Sequence, residues 1–291
     1  MNESKDFSRF KGFCQIIFYN DELVYNDRYR KEVMGIYKLR GHKVMSRKIH
    51  ILSVIFRKRS SYIFGSNIRT NLKLLCLVPF SPKTIIINGI GRYRSRRTLK
   101  ILSFLMLIQS NKTRLVIQNY CDYRFFRRLK IQNLHFICGS GGTERHIQGE
   151  GVFVVSRRDK FFTTLLSLES LSSDFAISHI NVVGLDEPKD KLSNSVDFNF
   201  VGFLSQKDII QGKTFICPEG YGEGFPHTLA DAIVSGCIII VGKRDFINFG
   251  LYLYQKEFDI GNTGVRFRPS FELQNALKIS TISEQYCIDL L

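Results

Sequence analysis

Two rhythms of apolar and polar positions alternate along this chain of 291 residues. Short, nearly unbroken apolar runs recur at 13–19 (FCQIIFY), 114–118 (RLVIQ), 134–137, 152–155 (VFVV), 179–183, 197–201, 214–217 and 237–241 (CIIIV). Each reads as a strand, the unbroken run at 237–241 as a buried one. Between them, apolar residues three and four apart predict helices over 27–39, 123–130, 161–171, 226–235 and 271–279, with a short one over 206–210. Gly41 and Gly236 stand where a left-handed residue would end the helices before them. An apolar run at 49–56 is followed by Arg57-Lys58-Arg59, and further helix or strand pieces at 72–78 and 84–87 lie around the breakers Pro79 and Pro82. Strand, helix, strand in repetition is the signature of an α/β fold with parallel sheets. The glycine-rich run at 138–142 (CGSGG) is the natural hinge. It suggests a first domain over 1–145 and a second over 146–291.

Charge sharpens that division. Residues 1–150 hold 29 Lys and Arg against 9 Asp and Glu, a balance of +20. The remainder holds 13 against 17, a balance of −4, which accounts for the net +16. A basic half joined to a mildly acidic one points to different partners, the basic half facing phosphate or anionic head groups. Its densest cluster is GRYRSRRTLK at 91–100, in which Arg92, Arg94, Arg96 and Arg97 run directly into the apolar segment 101–108 (ILSFLMLI). That junction fits a helix lying at a membrane surface, and equally a buried helix with a basic entrance. The aromatics follow no nucleic-acid-binding pattern, so no nucleic-acid partner is expected. The polar start, MNESKDFSRFKGF, has no signal-peptide pattern, and no apolar run nears the roughly 18 residues of a membrane span. The 7 cysteines are scattered, without the spacing of a zinc site. A cytoplasmic protein without a disulfide framework, metal or cofactor is expected.

The chemistry gathers at 217–242, CPEGYGEGFPHTLADAIVSGCIIIVG. A loop with three glycines feeds a helix whose first turn Pro226 suits, and backbone N–H groups at such a start favour phosphate. Glu223 lies in the loop and Asp231 about two turns into the helix, so both acids can reach one ligand. A carboxylate suits sugar hydroxyls because it accepts two hydrogen bonds from a diol. A second candidate is Ser156-Arg157-Arg158-Asp159-Lys160, which follows the strand at 152–155. Cations at the carboxyl end of a parallel strand can neutralise a diphosphate. Other motifs fail: Gly212-Lys213-Thr214 would need a glycine at 207 to be a P-loop, and Lys207 stands there. Neither a nucleophile elbow nor a His-Glu-x-x-His zinc motif appears.

Together these stretches resemble the retaining glycosyltransferases of the two-domain GT-B type, family 4. The likeness is carried by EGFPHTLADAIVSGCIIIV (223–241), VFVVSRRDKFFTTLLSLESL (152–171), FNFVGFLSQKDI (198–209) and RLVIQNYCDYRFF with FICGSGG (114–126, 136–142). It implies two Rossmann-like domains facing across a cleft, in a compact form lacking the long final helix that returns to the first domain. It further implies transfer, with retention, of a sugar from a nucleotide-sugar donor, UDP-linked by expectation. The acceptor implied is a polyprenyl-diphosphate-linked saccharide of surface-polysaccharide assembly, at the inner face of the membrane. By position, Glu223 would meet the donor sugar, and Gly222, Gly224, Phe225 and Pro226 would lie against sugar and phosphates. Asp231 would hold the ribose, and Lys160 with Arg157 or Arg158 would neutralise the leaving diphosphate without a metal. Asn88 stands near the acceptor position. The rival readings are a sugar-nucleotide 2-epimerase of the same fold and a non-catalytic partner subunit.

Overall fold

In the computed structural model the described residues are 15–19, 28–45, 61–90, 96–109, 111–156, 158–187, 196–203, 209–219 and 224–287. The chain divides into two compact units. The first joins Met1–Ser140 to Ile279–Leu291, and the second is Gly141–Lys278.

The first unit is built on six parallel strands, β1 (Gln15–Tyr19), β2 (Lys43–Met45), β3 (Ser61–Gly65), β4 (Lys83–Ile87), β5 (Thr113–Ile117) and β6 (Leu134–Phe136). Their order is β2-β1-β3-β4-β5-β6. Strand residues alternate between two cores, as the pleat requires. Ile17, Ile63, Ile85 and Leu115 face one core, which also takes Leu74, Leu102, Met106 and Phe126. Those four come from α2 (Ile68–Leu77), α3 (Arg96–Ile108) and α4 (Tyr120–Arg128). The crossovers between successive parallel strands, right-handed as a rule, put these helices on one face. Asn67 and Asn119 cap α2 and α4, their side-chain oxygens accepting the N–H groups of Thr70 and Cys121 at 3.2 and 2.9 Å. On the other face Ile16, Phe18, Phe64 and Val116 pack with Val33 and Tyr37 of α1 (Arg28–Leu39).

In the second unit the larger sheet holds β8 (Val152–Val155), β9 (His179–Val183), β10 (Asp197–Gly202), β12 (Thr214–Cys217), β13 (Ile238–Gly242), β14 (Asp259–Ile260) and β15 (Gly264–Phe267). Its order is β10-β9-β8-β12-β13-β15-β14. The first five strands are parallel, and β15 runs antiparallel to β13 and β14. A separate two-stranded piece pairs β7 (His146–Gln148) with β11 (Ile209–Gln211). The helices are α5 (Arg158–Asp174), α6 (His227–Val234), α7 (Lys243–Asn248) and α8 (Phe271–Leu277). Both units are therefore Rossmann-like α/β layers.

Three differences from the sequence reading have clear causes. Part of the expected helix over 206–210 is strand, because Ile209 and Ile210 pair with His146 and Ile147, some sixty residues earlier in the chain. The unit boundary falls after Ser140, not at 145–146. Gly142 donates to Leu277 O at 2.8 Å and Thr143 to the Asp231 carboxylate at 2.9 Å, which ties 142–145 to the second unit. The final helix over 271–279 is two helices, since Lys278 turns extended at ψ 138 and α9 (Ile279–Tyr286) begins after it.

This α9 returns to the first unit, so the returning helix expected to be absent is present in short form. Ile282 and Tyr286 are fully buried in the α1 core. The Tyr286 ring stacks on Tyr29 with centroids 4.1 Å apart. The Arg114 guanidinium donates to the carbonyls of Tyr286 and Gln285 at 3.0 and 2.7 Å. It thus places a cation at the helix C-terminus, where the macrodipole favours one.

Candidate active site

A doubly wound sheet binds ligands beyond the carboxyl ends of its strands, where the order reverses. In the second unit the reversal lies between β8 and β12, neighbours with opposite outward paths. The segment leaving β8 is 156–160, and the segment leaving β12 is 218–226. The two stretches singled out from sequence thus emerge from adjacent strands on one edge.

The floor of that edge is tightly built. Ser156 N–H donates to Val183 O at 3.0 Å, and Gly184 N–H to Gly202 O at 2.7 Å. Gly184 has φ +87°, and a Cβ there would lie 2.9 Å from Ser156 O, so glycine is required on both counts. Lys160 sits half-buried in the first turn of α5, close enough for its charge to act on the Cys217 thiol. Burial pushes that thiol well above its ordinary range, with Asp245 adding to the rise and Lys160 opposing it. A buried, protonated thiol is not a nucleophile. On the β12 side Glu219 accepts the Arg244 N–H at the start of α7 at 3.2 Å. Its own N–H donates to Ser167 of α5 at 3.0 Å, joining the two loops' supports.

The start of α6 has no side-chain cap. Pro226 is the capping residue with φ −66° and ψ 134°, one position before the first turn, and its carbonyl accepts Ala230 N–H at 3.1 Å. Gly224 is half-buried beside it. Phe225 turns inward, 5% exposed, with its ring centroid 5.2 Å from that of Phe249. Gly236, at φ +81°, closes the helix as expected. Its N–H reaches Ile233 O and that of Cys237 reaches Ala232 O, both at 3.0 Å, which is a Schellman motif.

Asp231 is 5% exposed and held from two sides. Arg145 Nη2 approaches its Oδ2 at 2.8 Å, and Thr143 N–H donates to its Oδ1 at 2.9 Å. Next to it Gly142 passes so close to α6 that a Cβ would lie 2.3 Å from Ala230 O. The acid thus anchors the chain segment that enters the second unit.

Glu223, Gly222 and Arg157 lie outside the described residues, as do Arg92 and Arg94, and the side chains of Arg158 and Arg96 are likewise not described. Asn88 follows β4 at the carboxyl edge of the first unit's sheet, its Oδ1 enclosed without a hydrogen-bond partner. Arg97 is exposed on α3. Sequence reasoning passed over Glu219 and over Lys243, which follows β13 on the same edge as Lys160. It also passed over Phe203, 81% exposed just beyond β10. The available signal was position, since each stands within two residues of the end of an apolar strand run. Among the described residues no group of three His, Cys, Asp or Glu is placed to hold a metal ion, and no helix is long and apolar enough to cross a membrane.

No protein-family model matches this chain, and no curated protein does. Among solved structures, the spinosyn forosaminyltransferase SpnP is similar with a TM-score of 0.41 and 10% identity, over 78% of this chain and 79% of its own. The two Rossmann-like units stand on their own strand orders.

Proposed function

We propose that the chain is a glycosyltransferase whose second unit binds a nucleotide-sugar. One observation carries this reading. At the switch point β8, which leads to Lys160 in the first turn of α5, lies beside β12, after which the chain reaches the start of α6, where no side chain caps the helix. A diphosphate suits such an edge, because cations and the N–H groups of a helix start both favour it. In the proposed reaction the bond from the anomeric carbon to the diphosphate oxygen breaks as an acceptor hydroxyl oxygen bonds to that carbon. Its proton leaves with the departing diphosphate. Lys160, with Arg157 or Arg158, neutralises the charge that builds on the leaving group. Glu223 meets the donor sugar, and Gly222 and Gly224 let the backbone approach it. We assign Asp231 to holding α6 in place, as its bonds to Arg145 and Thr143 support.

The acceptor we propose is a saccharide on a polyprenyl diphosphate, used with retention at the cytoplasmic face of a membrane. The basic balance of the first half supports this, with Arg92, Arg94, Arg96 and Arg97 at the head groups and Asn88 toward the acceptor. The test is a panel of UDP-sugars scored by thermal shift and by release of UDP, with Lys160→Met and Glu223→Ala beside the parent chain. Removal of Lys160 should lower turnover by about a hundredfold or more, the usual scale for losing one such electrostatic contact. Unchanged turnover in both variants, an epimerised sugar with no transfer, or no response to any nucleotide-sugar would each overturn the reading.

A further inference from the structure

Singly exposed apolar side chains are ordinary on a protein surface, whereas a contiguous strip of them is not. On α3, Ile101, Phe104, Leu107 and Ile108 are 55, 62, 43 and 65% exposed. They lie three or four residues apart, and so does the pair Arg97 and Lys100 that precedes them, also exposed. The outer face of this helix therefore begins as cations and continues as large apolar groups over about 16 Å, at 1.5 Å per residue. Its inner face, Leu102 and Met106, is 1% exposed and already satisfied by the core.

The surroundings extend the pattern. Gln109, just past the apolar end of α3, donates to Leu75 O at 2.8 Å, and Lys83 N–H donates to Lys112 O at 3.1 Å. These bonds bring the loop after α2 to that end of α3. Phe80 stands on this loop, 76% exposed, with the Lys112 ammonium 5.7 Å from its ring centroid. On the following helix, α4, Arg124, Arg127 and Arg128 are exposed and Phe125 is 40% exposed. Residues 61–140 contain 14 Lys and Arg against a single acid, Asp122. That acid is 6% exposed and accepts Ile90 N–H at 3.1 Å, so it offers the surface no negative charge.

We infer that the layer of α3 and α4 docks on an anionic lipid bilayer, with Phe104 and Ile108 entering the acyl boundary and the arginines of α4 on head groups. Charge complementarity selects the occupant, and the apolar strip selects a bilayer over a free polyanion. The inference deepens the proposed function by naming the surface that meets the membrane, and it rests on that reading only for the idea that the acceptor is lipid-linked.

The experiment is flotation of the full chain with phosphatidylcholine vesicles, with and without about 30% phosphatidylglycerol, enough to give a strongly anionic surface. Binding is expected on the anionic vesicles alone. It should fall more than tenfold in Phe104→Ser/Ile108→Ser, and roughly fivefold for each of Arg124→Ser, Arg127→Ser and Arg128→Ser. Because all five positions are exposed, thermal midpoints should stay with the parent. Equal binding to neutral vesicles would overturn the proposal. So would tight binding to a single-stranded RNA oligomer that the Phe104→Ser/Ile108→Ser variant retains. UDP release from donor in water is the separate readout: its presence without flotation would leave the transferase reading intact and reject the surface, and the reverse would reject the transferase reading.

Discussion

At residue scale, Asp231 shows how a position can be legible in the sequence while the groups that hold it are not. Its spacing from Glu223 and its place after a glycine loop were visible in the sequence, and the family resemblance, not the spacing alone, suggested a ribose ligand. The two groups that hold it were not visible, because Thr143 and Arg145 lie more than eighty residues earlier. Asp231→Asn keeps an acceptor for Thr143 but leaves the Arg145 charge unpaired in a largely buried place. Losing one partner of a buried pair costs about 3 kcal/mol. The expected result is a lower urea midpoint for the second unit, with donor affinity close to the parent's. A normal midpoint with weakened nucleotide binding would return the acid to the ribose. Phe225, expected from the resemblance to lie against sugar and phosphates, is buried with its ring against Phe249, a partner more than twenty residues later in the chain.

Elements were readable where their partners were close or their runs were strongly apolar. The strands β5, β8 and β13 were found within a residue or two, and so was α6, whose apolar spacing and closing glycine agree. The strand β3 was missed because its run is five residues long and follows an Arg-Lys-Arg segment that reads as a break. For β7 and β11 the three-residue runs are too short to show a period, and their pairing is long-range. Two glycines allow the helix-end logic to be tested with opposite signs. A Cβ on Gly236 would find its nearest neighbour at 3.9 Å, so space is not the issue, but φ +81° is. Gly236→Ala should cost about 1 kcal/mol for the left-handed backbone. Gly35, inside α1 with nothing within 4 Å of an added Cβ, should gain up to about 1 kcal/mol as alanine. Chemical denaturation of both variants reads the two signs directly.

Across the whole molecule, the α/β class and the two-unit division were available from rhythm and charge alone, and the closing of the first unit was not. ISTISEQY looks like a tail, and only the long-range stack on Tyr29 and the Arg114 bonds make it a helix of the first core. Ending the chain after Lys278 should therefore leave the second unit folded and damage the first. The guanidinium of Arg114 would lose the carbonyl oxygens of Gln285 and Tyr286, and the α1 core would lose Tyr286 and Ile282. Limited proteolysis should then cut within 28–140 at protease levels that spare the parent, while fragments covering 141–278 persist. Equal resistance in both regions would count against this account of α9.

That same return of α9 has a consequence for the order of events during synthesis. Topologically the second unit is an insertion: the chain leaves the first unit once, at Ser140, and re-enters it at Ile279. A ribosome therefore delivers the second unit as one uninterrupted piece, while the first, begun earlier, must wait for its last helix. Domains tend to fold as units as they emerge. Here the half that starts second is finished first, and for more than a hundred residues of translation the α1 face of the first half has its apolar surface waiting for α9.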